Sequence, residues 1–308
     1  MIFALGVISG TVLQKYHAFS NLLRFFGMKN MLSLMPARAI LQPGINVEAG
    51  IPEELSGKLS LVILAGQSNM SGRGDLPPEQ SMHPRSFVFG NDYRWKSARE
   101  PVDAAHGQVD LVSEDRDAGF GPALTFATSV LKRNPELVVG LIPCAKGASS
   151  IKEWQRDLSE KTLYGSCLKR VRAATTMGTV AGMLFFQGET DALDPERFPK
   201  WSPSASSYSE RFATFVDDLR KDLSLATMPI VFAQLGTNNS PDDYVNWEIL
   251  KEQQKSSNLS CAAMITTDDL ALADGVHFTT ESYRVIGHRY ADAFLQLASL
   301  ANDCAQTR

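Results

Sequence analysis

The sequence predicts an α/β protein: a three-layer α/β/α sandwich around a central, mainly parallel, five-stranded sheet. Two observations predict it. Beyond residue 58, short runs of almost unbroken apolar residues recur, which is how strands covered on both faces read. Between those runs lie longer stretches with apolar residues at helical spacing. Composition agrees, because 44% of the 308 residues are hydrophobic and 21% are charged, an ordinary balance for a globular chain of this size.

The elements follow in order. "MIFALGVISGTVL" opens the chain and is followed by Lys15, Arg24, Lys29 and Arg38. It is shorter than the ~20 residues a membrane-crossing helix needs and lacks a positive start, though Ala37-Arg38-Ala39 suits an A-x-A cleavage site. An export signal, a membrane-surface tether and an upstream extension all fit, and the apolar start favours an exported or membrane-associated protein. Residues 42–58, rich in Pro, Gly and acid, read as a linker. The expected division is therefore a leader or tether plus linker over 1–58 and one folded domain over 59–308.

Strands are expected at Leu59–Ala65, Leu137–Ile142, Val180–Phe186, Ile230–Leu235 and Ala262–Thr266. One helix is expected after Pro122, over "ALTFATSVLKRN", because proline suits a first turn. Others are expected at Lys161–Thr176, at Ser206–Leu223, where Tyr208, Phe212, Phe215, Val216 and Leu219 share a face, and at Thr280–Leu300.

Charge and cysteine content exclude some functions. A net charge of −4 argues against nucleic acid, which needs a clustered basic surface. Cys144, Cys167, Cys261 and Cys304 form no CxxC pair, and the five histidines are scattered, so no metal is expected. No cofactor is called for either. Three of the cysteines sit in apolar segments and read as small core residues; nothing in their spacing asks for a disulfide.

In parallel sheets, ligands bind beyond the carboxyl ends of the strands. The exits here carry Gly66-Gln67-Ser68-Asn69, then Pro143-Cys144-Ala145-Lys146-Gly147-Ala148-Ser149, then Gln187-Gly188-Glu189-Thr190-Asp191, and finally Asp274-Gly275-Val276-His277. Each has an ordinary reading as a turn. Together they place at one edge every group that acyl transfer needs. Ser68 is a nucleophile if a base removes its proton. His277 is that base, and Asp274 can hold its Nδ1–H. The N–H groups of Ser68 and Gly147 and the Gln187 amide can receive a developing oxyanion. Gln67, Asn69, Glu189 and Asp191 read as supporting groups.

Rivals for these roles exist. His288 is a second base, read as structural. Cys144 is a second nucleophile, with no histidine near it in sequence. Glu189 and Asp191 could form a glycosidase acid pair, but are read as holding the turn after the third strand. The α/β-hydrolase elbow G-x-S-x-G is absent, because Met70 stands where its second glycine would be.

The G-Q-S-N motif, "PCAKGASSIKEW" (Pro143–Trp154), "FFQGETDA" and "DGVHFT" resemble the four signature blocks of the SGNH/GDSL hydrolases, within their sialate O-acetylesterase and acetyl-xylan-esterase-like branch. "GFGP" at 119–122 matches a further block. The resemblance runs over roughly residues 60–295 in the same order. It implies a flavodoxin-like fold and esterase chemistry without a cofactor, with Ser68, Asp274 and His277 as the catalytic residues. It also implies Gly147 and Gln187 as oxyanion donors, Gln187 standing where the wider superfamily has asparagine. Ala148 departs from the branch, which often has a second glycine there.

The expected function is removal of acetyl or other small acyl groups from carbohydrate hydroxyls, with an acetylated carbohydrate as substrate. The segments Ser71–Trp95 and Trp201–Tyr208 would shape the sugar side, through Tyr93, Trp95 or Trp201. Two alternatives remain: a carbohydrate-binding scaffold with little activity, and the same mechanism on a lipid or thioester.

Overall fold

The computed structural model describes residues 50–299 apart from 202. The apolar start and most of the expected linker, residues 1–49, lie outside the described residues, as does Leu300. Among the described residues no helix is long and apolar enough to cross a membrane.

The main elements, in chain order, are β1 (Leu59–Gly66), α1 (Ser68–Ser71), β2 (Ser86–Phe89), β3 (Trp95–Ser97), α2 (Ala123–Arg133), β4 (Val139–Pro143), α3 (Leu163–Ala174), β5 (Gly178–Phe186), α4 (Tyr208–Leu223), β6 (Ile230–Ala233), α5 (Trp247–Lys255), β7 (Ala262–Ile265) and α6 (Thr280–Ser299). The strands form one sheet in the order β3-β2-β4-β1-β5-β6-β7. Its neighbours run parallel except β3, which pairs antiparallel with β2.

This sheet has two strands more than the expected five. β2 has four residues and β3 three, inside a stretch whose polarity reads as loop. The apolar run of β2 is only Phe87-Val88-Phe89, all three buried, and it pairs parallel with β4. Helix α5 also escaped the pattern, because only Trp247, Leu250 and Gln254 of its nine residues are buried.

β1 lies at the centre, between β4 and β5, and Leu61, Ile63 and Ala65 are fully buried. Alternation along β5 separates the two helical layers. Phe185 stacks on Phe212 of α4 at 4.8 Å and meets Trp154 edge-on at 6.2 Å. The next residue, Phe186, turns to Phe278, 5.8 Å away. On that second face α2 packs on α6, with Phe126 edge-on to Phe294 at 5.4 Å.

Cys144 and Cys167 form a disulfide between the exit of β4 and helix α3, across a separation of 23 residues. This corrects their reading as plain core residues and removes Cys144 as a rival nucleophile. Cys261 is free and buried.

Glu100 is buried where the chain approaches α2. Its Oε2 accepts from the N–H groups of Val102 (3.2 Å) and Gly121 (3.3 Å), so it braces the G-F-G-P turn that opens the helix. Burial pushes its carboxyl up to about 8, against those hydrogen bonds. Burial also raises Asp103 to about 8, and the Asp115 charge adds to the effect.

Two outcomes are expected. Both carboxyls hold a proton in the folded state that the unfolded chain releases in the ordinary carboxylate range. Their contribution is full below that range and is lost as pH rises through about 8. The melting temperature should fall over that interval, and Glu100→Gln should flatten the fall. Removing the disulfide with Cys144→Ala and Cys167→Ala should cost about 3 kcal/mol in denaturant unfolding, the loop-closure value for a loop of this length.

Candidate active site

The site begins where β1 and β5 come closest. Gly66 has φ +130°, and a Cβ there would lie 2.1 Å from the Phe186 carbonyl oxygen. Only glycine lets the strand end against its neighbour and turn at once. Gln67 is extended, and the single turn α1 then starts at Ser68.

Ser68 Oγ lies 2.9 Å from His277 Nε2. His277 Nδ1 lies 2.7 Å from Asp274 Oδ2. Asp274 Oδ1 accepts from the backbone N–H groups of Val276 (2.9 Å) and His277 (2.8 Å). The three-residue spacing therefore folds the aspartate back on its own loop, which fixes both the carboxylate and the ring. Burial works against the Asp274 charge. The hydrogen bond and charge of His277, with the two N–H groups, outweigh it and hold the carboxyl at about 2. Asp274 is therefore ionised throughout the neutral range.

Asn69 ties the segments together. Its Nδ2 donates to Glu189 and, at 3.0 Å, to the Val276 carbonyl. Its Oδ1 accepts from the Tyr283 hydroxyl at 2.6 Å. Glu189 and Asp191 are almost wholly buried. Burial raises both, Asp191 to about 6 against hydrogen bonds from Ile151 N–H and Gln187. Asp191 Oδ2 accepts from the Ile151 N–H at 2.7 Å, joining the turn after β5 to the loop after β4.

Two of the expected oxyanion donors are engaged within the protein. The Gly147 N–H already donates to Asp115 Oδ2 at 2.9 Å. Arg73 clamps that carboxylate through both its oxygens, at 3.0 and 2.8 Å, and the Ser71 hydroxyl donates to it at 2.9 Å. Gln187 is also committed. Its Nε2 faces Gln67 Oε1 (3.1 Å), Ser149 O (3.0 Å) and Asp191 Oδ2 (2.7 Å). By contrast, the backbone N–H groups of Ser68 and Ala148 have no acceptor among the described residues. Ala148 has φ +60°, a left-handed conformation that suits the glycine usual in the resemblance.

Other expected residues lie elsewhere. His288 Nδ1 engages Ser129 Oγ of α2 at 2.8 Å, between two helices. Trp95 packs on Phe89 at 5.0 Å, and Tyr93 meets the same ring edge-on at 5.8 Å. Both pack at the sheet edge and are half-buried. The Lys200 ammonium lies 5.1 Å from the half-buried Trp201 ring. Sequence reasoning missed Arg73, Asp115 and Tyr283.

The sequence model of a family described as carbohydrate esterase, sialic acid-specific acetylesterase, matches residues 58–296. A probable carbohydrate esterase of Arabidopsis thaliana is 32% identical over 254 residues, covering 76% of this chain and 90% of that protein. An X-ray structure of a protein from Arabidopsis thaliana aligns with a TM-score of 0.65 at 30% identity, covering 77% of this chain and 98% of that one. The crystal structure of a carbohydrate acetylesterase from Xanthomonas citri shares the fold at a TM-score of 0.57 and 20% identity, covering 78% of this chain and 56% of that one.

Ala148→Gly should raise stability by about 0.5–1 kcal/mol. That is the left-handed penalty of a side chain less the chain entropy glycine adds to the unfolded state. Thermal unfolding checks it, and a loss of stability would contradict the conformation described.

Proposed function

The chain belongs to the carbohydrate esterase family described as sialic acid-specific acetylesterase, and from that premise we propose that it removes acetyl groups from carbohydrate hydroxyls with Ser68 as nucleophile. The single observation that supports this most is the unbroken hydrogen-bonded line from Asp274 through His277 to Ser68.

In this reading Ser68 Oγ attacks the ester carbonyl while His277 Nε2 takes its proton. The ionised Asp274 holds the Nδ1–H, selects the tautomer and stabilises the imidazolium. The Ser68 and Ala148 N–H groups receive the negative charge as the tetrahedral intermediate forms. The intermediate collapses, and His277 protonates the departing sugar oxygen. Water then attacks the acetyl-enzyme, giving up a proton to the same imidazole, and acetate and free Ser68 result. Glu189, Asp191 and Asn69 keep the strand exits in register throughout.

The test is kinetic. Ser68→Ala should lower kcat on p-nitrophenyl acetate by at least about 10³-fold, and Asp274→Asn by about 10²–10⁴-fold, with folding unchanged. Turnover by Ser68→Ala within about tenfold of wild type would overturn the reading. Acetylated xylan and O-acetylated sialic acid should release acetate. A clear preference for long-chain acyl esters or thioesters would favour the lipid or thioester alternative.

A further inference from the structure

We propose that the side-chain amide of Gln67 is a third oxyanion donor, in the role the sequence assigned to Gln187. The proposal rests on the reading of Ser68 as nucleophile.

Amide orientation carries the argument. Three acceptors converge on Gln187 Nε2, so its nitrogen must sit at that end; the reverse would set oxygen against oxygen. Its two hydrogens are thereby spent. Gln67 shows the opposite pattern. Its Oε1 meets three donors: Gln187 Nε2 at 3.1 Å, Gly188 N–H at 3.3 Å and Thr190 N–H at 3.4 Å. Oxygen must therefore occupy that end, and Nε2 is the opposite end of the carboxamide.

That Nε2 has no acceptor among the described residues, although Gln67 is only 3% exposed. The nitrogen is not enclosed; it is the part of this otherwise buried residue that reaches solvent. Three donors hold the oxygen end in place. Gln187 also bridges to Ser149 O, beside Ala148. The Gln67 carboxamide thus sits at the seam between the turn that carries Ser68 and the loop that carries Ala148. The two backbone donors without acceptors come from those same segments.

An ester carbonyl oxygen is a weak acceptor, whereas the oxyanion is a strong one. A donor that is fixed in place and unused in the free enzyme therefore favours the transition state over the bound ester. Gln67 changes no bond and moves no proton; it supplies one charge-assisted hydrogen bond.

The experiment compares Gln67→Met and Gln67→Glu with wild type on p-nitrophenyl acetate, reading kcat, KM and melting temperature. Methionine keeps the volume without the donor. Glutamate keeps the oxygen facing Gly188 and Thr190 but sets an acceptor where the donor was. The expected result is a fall in kcat of about 10²–10³-fold in both, with KM within about threefold. Should Gln67→Met unfold, Gln67→Glu carries the comparison alone. A folded variant that keeps kcat within about threefold overturns the proposal, as does one that loses activity through KM. Wild type without esterase activity overturns the Ser68 reading instead, so the two failures are distinguishable.

Discussion

The carboxamide of Asn69 is the constraint on which the site depends. One buried side chain joins the turn after β1, the turn after β5 and the loop that carries His277, through Glu189, the Val276 carbonyl and the Tyr283 hydroxyl. Those segments lie far apart in sequence, and none would hold register alone. Because the ties are buried, water does not compete for them. Ser68 follows Gln67 at the exit of the central strand, and His277 follows the carbonyl that Asn69 grips. Their side chains stand 2.9 Å apart, each one residue from a group that the Asn69–Val276 bond joins.

The surrounding polar groups are arranged so that few charges are left bare. Glu100, Asp103, Glu189 and Asp191 are all raised by burial, which favours their neutral forms. Asp115 is paired with Arg73 and spends one oxygen on the Gly147 N–H. Asp274 is the exception, held ionised by His277 and its own loop. A carboxylate kept charged next to a histidine thus stands among acids pushed toward neutrality.

Much of this was legible in the sequence, for physical reasons. β1, β4, β6 and the second half of β5 are covered on both faces, and such strands write themselves as apolar runs; β7 is only half-buried but keeps an apolar run. The strand exits follow from them, and with them Ser68, Asp274 and His277. Strand β2 and the edge strand β3 were missed because the apolar run of β2 is only Phe87–Phe89, set in polar sequence, and β3 is three half-buried residues paired with it. The Cys144–Cys167 pairing depends on how α3 docks against the β4 exit, which spacing does not encode. The engagement of the Gly147 N–H was hidden for a similar reason. It turns on Asp115, a residue in a polar loop that only the folded chain brings beneath Gly147. Tyr93 and Trp95 pack on Phe89 at the sheet edge, a contact that their spacing from the motifs does not encode.

The central claim is that the geometry around Ser68 makes one hydroxyl reactive among many. The most direct measurement is covalent labelling with a fluorophosphonate, followed by peptide mapping of the modified protein by mass spectrometry. The account predicts a single adduct on Ser68 in the folded enzyme and none when His277 is replaced by alanine. An adduct on another residue, or equal labelling of Ser68 without the imidazole, would contradict it.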